Sequence, residues 1–259
     1  MGAGVAARYL LPAATSLGLL VLWEVLVTGL DVPALLLPPP SAIAVELVRW
    51  RGLLLAHSLV TLYETILGFL LGIVVGVPIA IAITTSRVLQ NTIYPLIILA
   101  QSIPKVTIAP LFLIWMGYGV PPKVFVGFLV AFFPIVIDTA TGLNAVEPEL
   151  IDLTRALAAS QWQTLWRIRF PQALPFFFSG LKVAITLAVI GAVIAEFVGS
   201  DQGLGYLILT ATAELKTAFV FACMFLLSVI GIGLFAALVA IERLLIPWHA
   251  SQRSHAMGS

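Results

Sequence analysis

Charge is scarce in this chain. Only 10% of its 259 residues are Asp, Glu, Lys or Arg, while 61% are apolar; a soluble domain carries about a quarter charged and about half apolar residues. That balance excludes a soluble globular chain and indicates a polytopic membrane protein built as one bundle. The net charge of +1 lacks the basic surplus of a nucleic-acid-binding chain, so no nucleic-acid partner is expected. Cysteine is nearly absent. Cys223 stands alone inside an apolar run, which rules out a disulfide framework and reads as a small buried or lipid-facing residue. No G-x-x-x-x-G-K-[ST] run occurs, so any ATP dependence must come from a partner. His57 and His249 sit at the ends of apolar runs with no second ligand at metal spacing, so no metal is assigned. No Ser, Cys or His constellation suggests hydrolysis, which disfavours an integral membrane enzyme.

What the chain has instead is apolar runs. A bilayer core needs about 20 apolar residues per helix, and on that ruler six spans are expected: Tyr9–Leu30, Ser58–Thr84, Ile93–Met116, Val124–Leu143, Phe176–Gly199 and Ala218–Leu245. The first run could imitate a signal peptide, but its length and Glu24 favour a retained span. Residues 254–259, Ser-His-Ala-Met-Gly-Ser, read as a cloning scar, leaving 1–253 as a single transmembrane domain. After Pro38, Pro39 and Pro40, Ser41 is expected to cap a short interfacial helix from Ala42 to Trp50. Gly68, Gly72 and Gly76 recur every four residues, a ridge that lets another helix approach closely. Gly117 to Pro122 reads as a turn. Tyr206–Ala213 is apolar but too short to span, so it is re-entrant or interfacial.

Six ionisable residues fall within or beside these spans: Glu24, Glu64, Lys105, Asp138, Lys182 and Glu196. Each costs on the order of 3 kcal/mol if it faces lipid near the centre, so each should face protein or water. Gln101, Ser102, Pro104 and Lys105 interrupt the third span. Proline removes a backbone donor there, and broken backbone at membrane depth needs protein or a water-filled cavity around it. Lys105 either gives a pathway a positive site for an anionic solute or pairs with Glu196 or Asp138 to lock the bundle. Glu196, with Asp201 and Gln202, either shapes a gate or is a helix-end acid satisfied by its neighbours. Glu24 and Glu64 read as packing or interface residues, and Lys182 as one that snorkels.

One polar stretch of about 30 residues, Glu147 to Pro175, interrupts the apolar pattern. Asp152 and Arg155 stand three apart and can pair on a helix. Ser160 and Gln163 form an S-x-x-Q capping box that starts a second helix. Trp162, Leu165 and Trp166 then share a face, and Pro171 is expected to end that helix. The result is two short helices, Asp152–Ala159 and Ser160–Arg169, which either fill a groove on a partner protein or lie on the lipid surface. Lysine and arginine counts orient the chain. With six spans, Arg8, Arg87, Arg155, Arg167, Arg169, Arg243 and Arg253 share one side, against Arg49, Arg51, Lys123 and Lys216 on the other. Seven against four favours both termini and the polar loop in the cytoplasm.

This loop resembles the EAA signature of permease subunits of ATP-binding-cassette (ABC) importers. Asp152 takes the acid position, Ala158 the glycine position six residues later, and Ile168, Phe170 and Pro171 the I-x-L-P positions. Leu153 and Thr154 replace the two alanines. LLPPPS at Leu36–Ser41, SIPKVTIAPL at Ser102–Leu111 and AEFVGSDQGLGYLI at Ala195–Ile208 are similar to the nitrate/sulfonate/taurine subgroup. The resemblance covers Leu36 to His249.

It implies an all-α permease of the type I importer, MetI-like kind, with six transmembrane helices and a cytoplasmic two-helix coupling loop in a bacterial inner membrane. It also implies a second permease, another copy or a close relative with a homodimer favoured, two cytoplasmic ATPase subunits carrying ATP and Mg²⁺, and a periplasmic solute-binding protein. Asp152, Arg155, Ala158, Ser160, Trp162, Trp166, Ile168 and Pro171 would couple to the ATPase. Gln101, Ser102, Lys105, Glu196, Asp201 and Gln202 would line the pathway or gate. The cargo would be a small polar or anionic organic solute such as a sulfonate, taurine, nitrate or a vitamin precursor. The rival is an ion-gradient-driven secondary transporter, which also uses broken helices and buried acids but shows inverted repeats; no clear repeat is seen.

Overall fold

Long apolar runs must satisfy every backbone N–H and C=O internally once lipid replaces water, and the helix does this within one segment. The computed structural model describes residues 2–247, with side chains from Leu10 onward, and every regular element among them is helical. Arg253, the 254–259 segment, His249 and the side chain of Arg8 lie outside the described residues.

Helix α1 (Gly2–Gly29) leads to α2 (Pro40–Arg49) and α3 (Arg51–Thr85). Helix α4 (Arg87–Gln101) is followed by a 3₁₀ turn (Lys105–Ile108), α5 (Ala109–Met116) and α6 (Val120–Asn144). Then come α7 (Pro148–Ala156), α8 (Gln161–Thr164), a π turn (Leu165–Arg169), α9 (Phe170–Gly199), α10 (Leu204–Ala213) and α11 (Thr217–Leu245). Five continuous helices are long and apolar enough to cross a membrane, and α4 with the Lys105–Met116 segment makes a sixth crossing bent by 88°. The bend falls at Pro104, between Gln101 and Lys105, as the sequence predicts. Several helices outrun their apolar cores: α3 begins at Arg51 rather than Ser58, and α6 takes in Val120 to Pro122, part of the expected turn.

The core is a close-packed layer of α3, α6 and α9, with α6 in the middle. Glycines set the spacing. A Cβ on Gly68 would stand 2.9 Å from Phe128 N and Val124 O, and one on Gly191 2.9 Å from Gly127 Cα. One on Gly142 would meet Ala173 O at 3.0 Å, and one on Gly180 Pro134 O at 3.0 Å. The Gly68–Gly72–Gly76 ridge is therefore used inside the chain, against α6. Phe69, Ala131, Ile135, Leu181, Ala184 and Ala188 fill the layer between them. Cys223 is buried, packed with Leu54, Leu207 and Phe219. Helix α11 packs against α9 and α3, and α1 touches α2 and, through Trp23, Phe221 of α11; both leave most of their apolar surface open.

Two corrections concern the first third of the chain. Ser41 does not cap α2. The N-cap position belongs to Pro39, which has no side-chain acceptor, and a group on another helix supplies one. Glu24 of α1 accepts the Ser41 amide at 2.9 Å and its hydroxyl at 2.7 Å. A carboxylate at a helix N-terminus satisfies free amides and complements the helix dipole. Lys182 does not snorkel either: its Nζ lies 2.6 Å from Glu242 Oε2 and ties α9 to α11.

Candidate functional site

The polar stretch folds as a projecting helix followed by a long continuous one. Helix α7 carries the Asp152–Arg155 pair at 3.0 Å, with both side chains exposed. It ends in a left-handed turn: Ala158 has φ +53°, its N–H donates to Arg155 O at 2.9 Å, and Ala159 N–H donates to Thr154 O at 2.9 Å. This paired arrangement is the Schellman stop, which favours glycine at the left-handed position because a Cβ there crowds the backbone. The glycine of the EAA pattern thus acquires a physical reason, and Ala158 occupies that conformation with the Cβ penalty.

Ser160 and Gln163 form the expected capping box, with Ser160 Oγ accepting from Gln163 N at 3.2 Å and Gln163 Oε1 from Ser160 N at 2.9 Å. The second helix does not stop at Pro171. It runs unbroken from Gln161 to Gly199. Proline lacks the amide that the carbonyl four residues earlier requires, and its ring clashes with that carbonyl. The chain widens to a π turn over Leu165–Arg169, closed by Phe170 N–H to Leu165 O, which moves the helix past this obstacle. Leu165 is buried with Leu143 and Ala173, so it does not share the exposed face that the sequence predicts for it with Trp162 and Trp166; consecutive helical residues lie about 100° apart. Those two rings pack edge-on at 5.5 Å, and Trp166 contacts Phe170 at 4.9 Å. Ile168 is half-buried. Leu153, Leu157 and Trp162 project with 54%, 73% and 66% of their surface open, a cost in water that a partner surface would remove.

At the bend of the third span, Gln101 and Ser102 are exposed. Lys105 pairs with neither Glu196 nor Asp138. Its Nζ donates to the Gln101 carbonyl, capping the end of α4, and lies 4.6 Å from the centre of the Phe133 ring. Both contacts suit a retained positive charge. The bundle-locking alternative therefore falls, and Lys105 remains a half-buried cation beside a broken helix.

The locking role belongs to a different lysine. Lys123, which the sequence suggests is a loop charge, is buried with its Nζ 2.6 Å from Glu64 and 2.7 Å from Ser200 Oγ. Among the described residues Glu64 receives no other well-directed contact, so this ion pair is its compensation. Glu196 is fully buried beside them. Its Oε1 accepts from Thr61 Oγ1 at 2.7 Å and its Oε2 from Gly205 N. His57 Nδ1 receives Gly203 N at 3.0 Å, and Thr61 Oγ1 receives Leu204 N at 2.8 Å. Thus α3 supplies acceptors for the free N-terminal amides of α10, and Glu196 pins that short helix to α9. A Cβ on Gly203 would lie 2.2 Å from Glu196 Cδ, and one on Gly205 2.7 Å from Oε2. The two glycines of the AEFVGSDQGLGYLI stretch make room for this carboxyl.

Glu196 is accordingly the helix-end acid satisfied by its neighbours, while Asp201 and Gln202 sit exposed on the adjoining turn. Sequence reasoning gives no site role to His57, Thr61, Lys123 or Ser200. A signal for two of them exists: His57, Thr61 and Glu64 continue the Gly68–Gly72–Gly76 ridge toward the start of α3, at spacings of three and four.

The family described as binding-protein-dependent transport system inner membrane component matches residues 68–248. The formylaminopyrimidine transport permease protein ThiX of Halalkalibacterium halodurans is 34% identical over 241 residues, covering 93% of this chain and 96% of that protein. The riboflavin transport system permease protein RibX of Chloroflexus aurantiacus is 36% identical, covering 90% of this chain and 88% of the relative. A chain of the MetNI methionine ABC transporter, solved in inward-facing conformations, shares the fold with a TM-score of 0.59 at 19% identity, over 73% of this chain and 98% of its own length. From its broken and continuous spans to its sequence relatives, the chain belongs to the family of binding-protein-dependent transport inner membrane components, the ABC transporter permeases of the inner membrane.

Proposed function

We propose that this chain forms, as a single transmembrane domain, half of the translocation pathway of an ABC importer. Helix α7 and the Trp162–Trp166 face would transmit the motion of a cytoplasmic ATPase. The observation that carries this reading is the projecting segment itself: a capped helix with a Schellman stop at Ala158, exposing Leu153, Leu157 and Trp162 beyond the bundle. Apolar side chains presented on a rigid helix fit a groove on a protein. The partner ATPase subunits hold ATP and Mg²⁺, and a periplasmic binding protein delivers the solute. Two copies of the chain assemble as a homodimer. Both termini face the cytoplasm, as the arginine distribution favours; the burial of Lys123 against Glu64 removes one charge from the opposite side of that count.

Gln101, Ser102 and Lys105 line the pathway, with Lys105 offering a cation to a small polar or anionic organic solute. The relatives named for formylaminopyrimidine and riboflavin and the sulfonate/taurine resemblance support that class. Glu196 acts at the gate indirectly, by fixing α10 and the turn that bears Asp201 and Gln202. The test is uptake in reconstituted vesicles with the ATPase and binding protein. ATP-dependent uptake that Lys105→Met reduces for an anionic solute, and Lys105→Arg retains, supports the reading. Uptake driven by an ion gradient without ATP contradicts the importer, and normal uptake by Lys105→Met removes the anion site alone.

A further inference from the structure

Three arginines from three separate elements line one cavity of about 300 Å³ at the junction of α7 with the bundle. Arg87 starts α4, Arg155 ends α7, and Arg169 closes the π turn before α9. Asn144, Gln161 and Thr84 contribute further polar walls, and none of the lining residues is acidic. Asp152, outside the lining, takes one edge of Arg155 at 3.0 Å. Arg169 has only a long contact to the Thr84 carbonyl, at 3.5 Å. Three arginines around one space, with no acid in its lining and one carboxylate beside Arg155, leave a local excess of positive charge that an anion would balance.

We infer that this cavity is a binding site for a phosphate-class anion, held by Arg87, Arg155 and Arg169. The planar guanidinium fork matches phosphate oxygens with paired charge-assisted hydrogen bonds. Threonine and amide side chains on the remaining walls supply neutral partners. The ligand would span two parts of the fold: Thr154 and Arg155 belong to the projecting helix, whereas Thr84, Arg87 and Asn144 belong to the bundle. An anion held between them ties the coupling helix to the ends of α3, α4 and α6. Two sources share this chemistry, an anionic lipid headgroup and free phosphate. The lipid source rests on the inner-leaflet placement of this end proposed above, whereas the anion site itself does not.

The test is native mass spectrometry of the full-length protein in detergent. One series is titrated with phosphatidylglycerol, with phosphatidylcholine as a baseline of no net charge, and a parallel series with inorganic phosphate. Saturable binding is expected, weakened about ten-fold by Arg87→Gln or by Arg169→Gln, the loss of one charged hydrogen-bonding group. Arg243→Gln, at the same end on α11 but outside the cavity, should leave it unchanged. Circular-dichroism melts establish that each variant is folded. Binding of phosphatidylglycerol without phosphate identifies the lipid source, and binding of both identifies a site open to soluble anions. No saturable binding of either ligand, or an equal loss in Arg243→Gln, overturns the inference. Because the readout is binding, a negative result leaves the importer reading intact, and a failure of ATP-dependent uptake leaves this one intact.

Discussion

Ala158 is the residue at which local chemistry and family pattern disagree most plainly. It holds φ +53° in a stop that favours glycine, and the left-handed region costs an L-residue with a Cβ about 1 kcal/mol. Ala158→Gly should therefore raise the thermal stability of α7 by about that amount, read as slower amide exchange over Pro148–Ala156. Ala158→Val should lower it, since a β-branched side chain is worse at positive φ. The buried Glu64–Lys123 pair makes a second prediction. Lys123→Met leaves a buried carboxylate without compensation and should cost about 3–5 kcal/mol. Adding Glu64→Gln removes the stranded charge and should recover much of the loss, which denaturation of the single and double variants will show.

At the scale of elements, the glycine contacts grade the tolerance of the α3–α6–α9 layer. An added methyl at Gly68 meets backbone atoms at 2.9 Å, which cannot step aside, while one at Gly72 meets the Ile135 side-chain tip at 3.1 Å, which can. Gly68→Ala should cost about 1–3 kcal/mol by overpacking, and Gly72→Ala clearly less; comparative melting of the two variants checks this order.

Much of this architecture is legible in the sequence, because apolar length and proline placement act locally. The six crossings, the break at Pro104, the capping box at Ser160 and the Asp152–Arg155 pair all follow from neighbours within a few residues. What is not legible depends on distant partners or on helix phase. Lys123 looks like a loop charge because its partner Glu64 sits on another helix. Ser41 looks like a cap because Glu24, which does the work, is a helix away. Pro171 looks like a stop because the π turn that accommodates it has no separate sequence mark, and Leu165 faces inward because its partner Leu143 sits on another helix, while Trp166, about 100° further round, remains outside.

For the whole molecule, the division of labour is spatial. At one end, Glu196, Thr61 and the Glu64–Lys123 pair hold α10 against α3 and α9. At the other, α7 projects from the bundle with Thr154 buried at its junction, and connects through Ala158 to the continuous Gln161–Gly199 helix. That long helix runs from the exposed tryptophans to the Glu196 cluster, so under the proposed function a push on Trp162 and Trp166 would reach an element that extends to the opposite end.

The central claim is that α7 and its aromatic neighbour are the docking face for an ATPase. The direct measurement replaces Leu157, which is 73% exposed, with glutamate and follows co-purification of the ATPase and ATP-dependent uptake alongside the melting temperature. The account predicts that Leu157→Glu abolishes both while the melting temperature stays within about 2 °C of the parent, since exposed substitutions rarely shift stability by more than about 0.5 kcal/mol. An ATPase that still co-purifies with Leu157→Glu and drives uptake at the parent rate would contradict it.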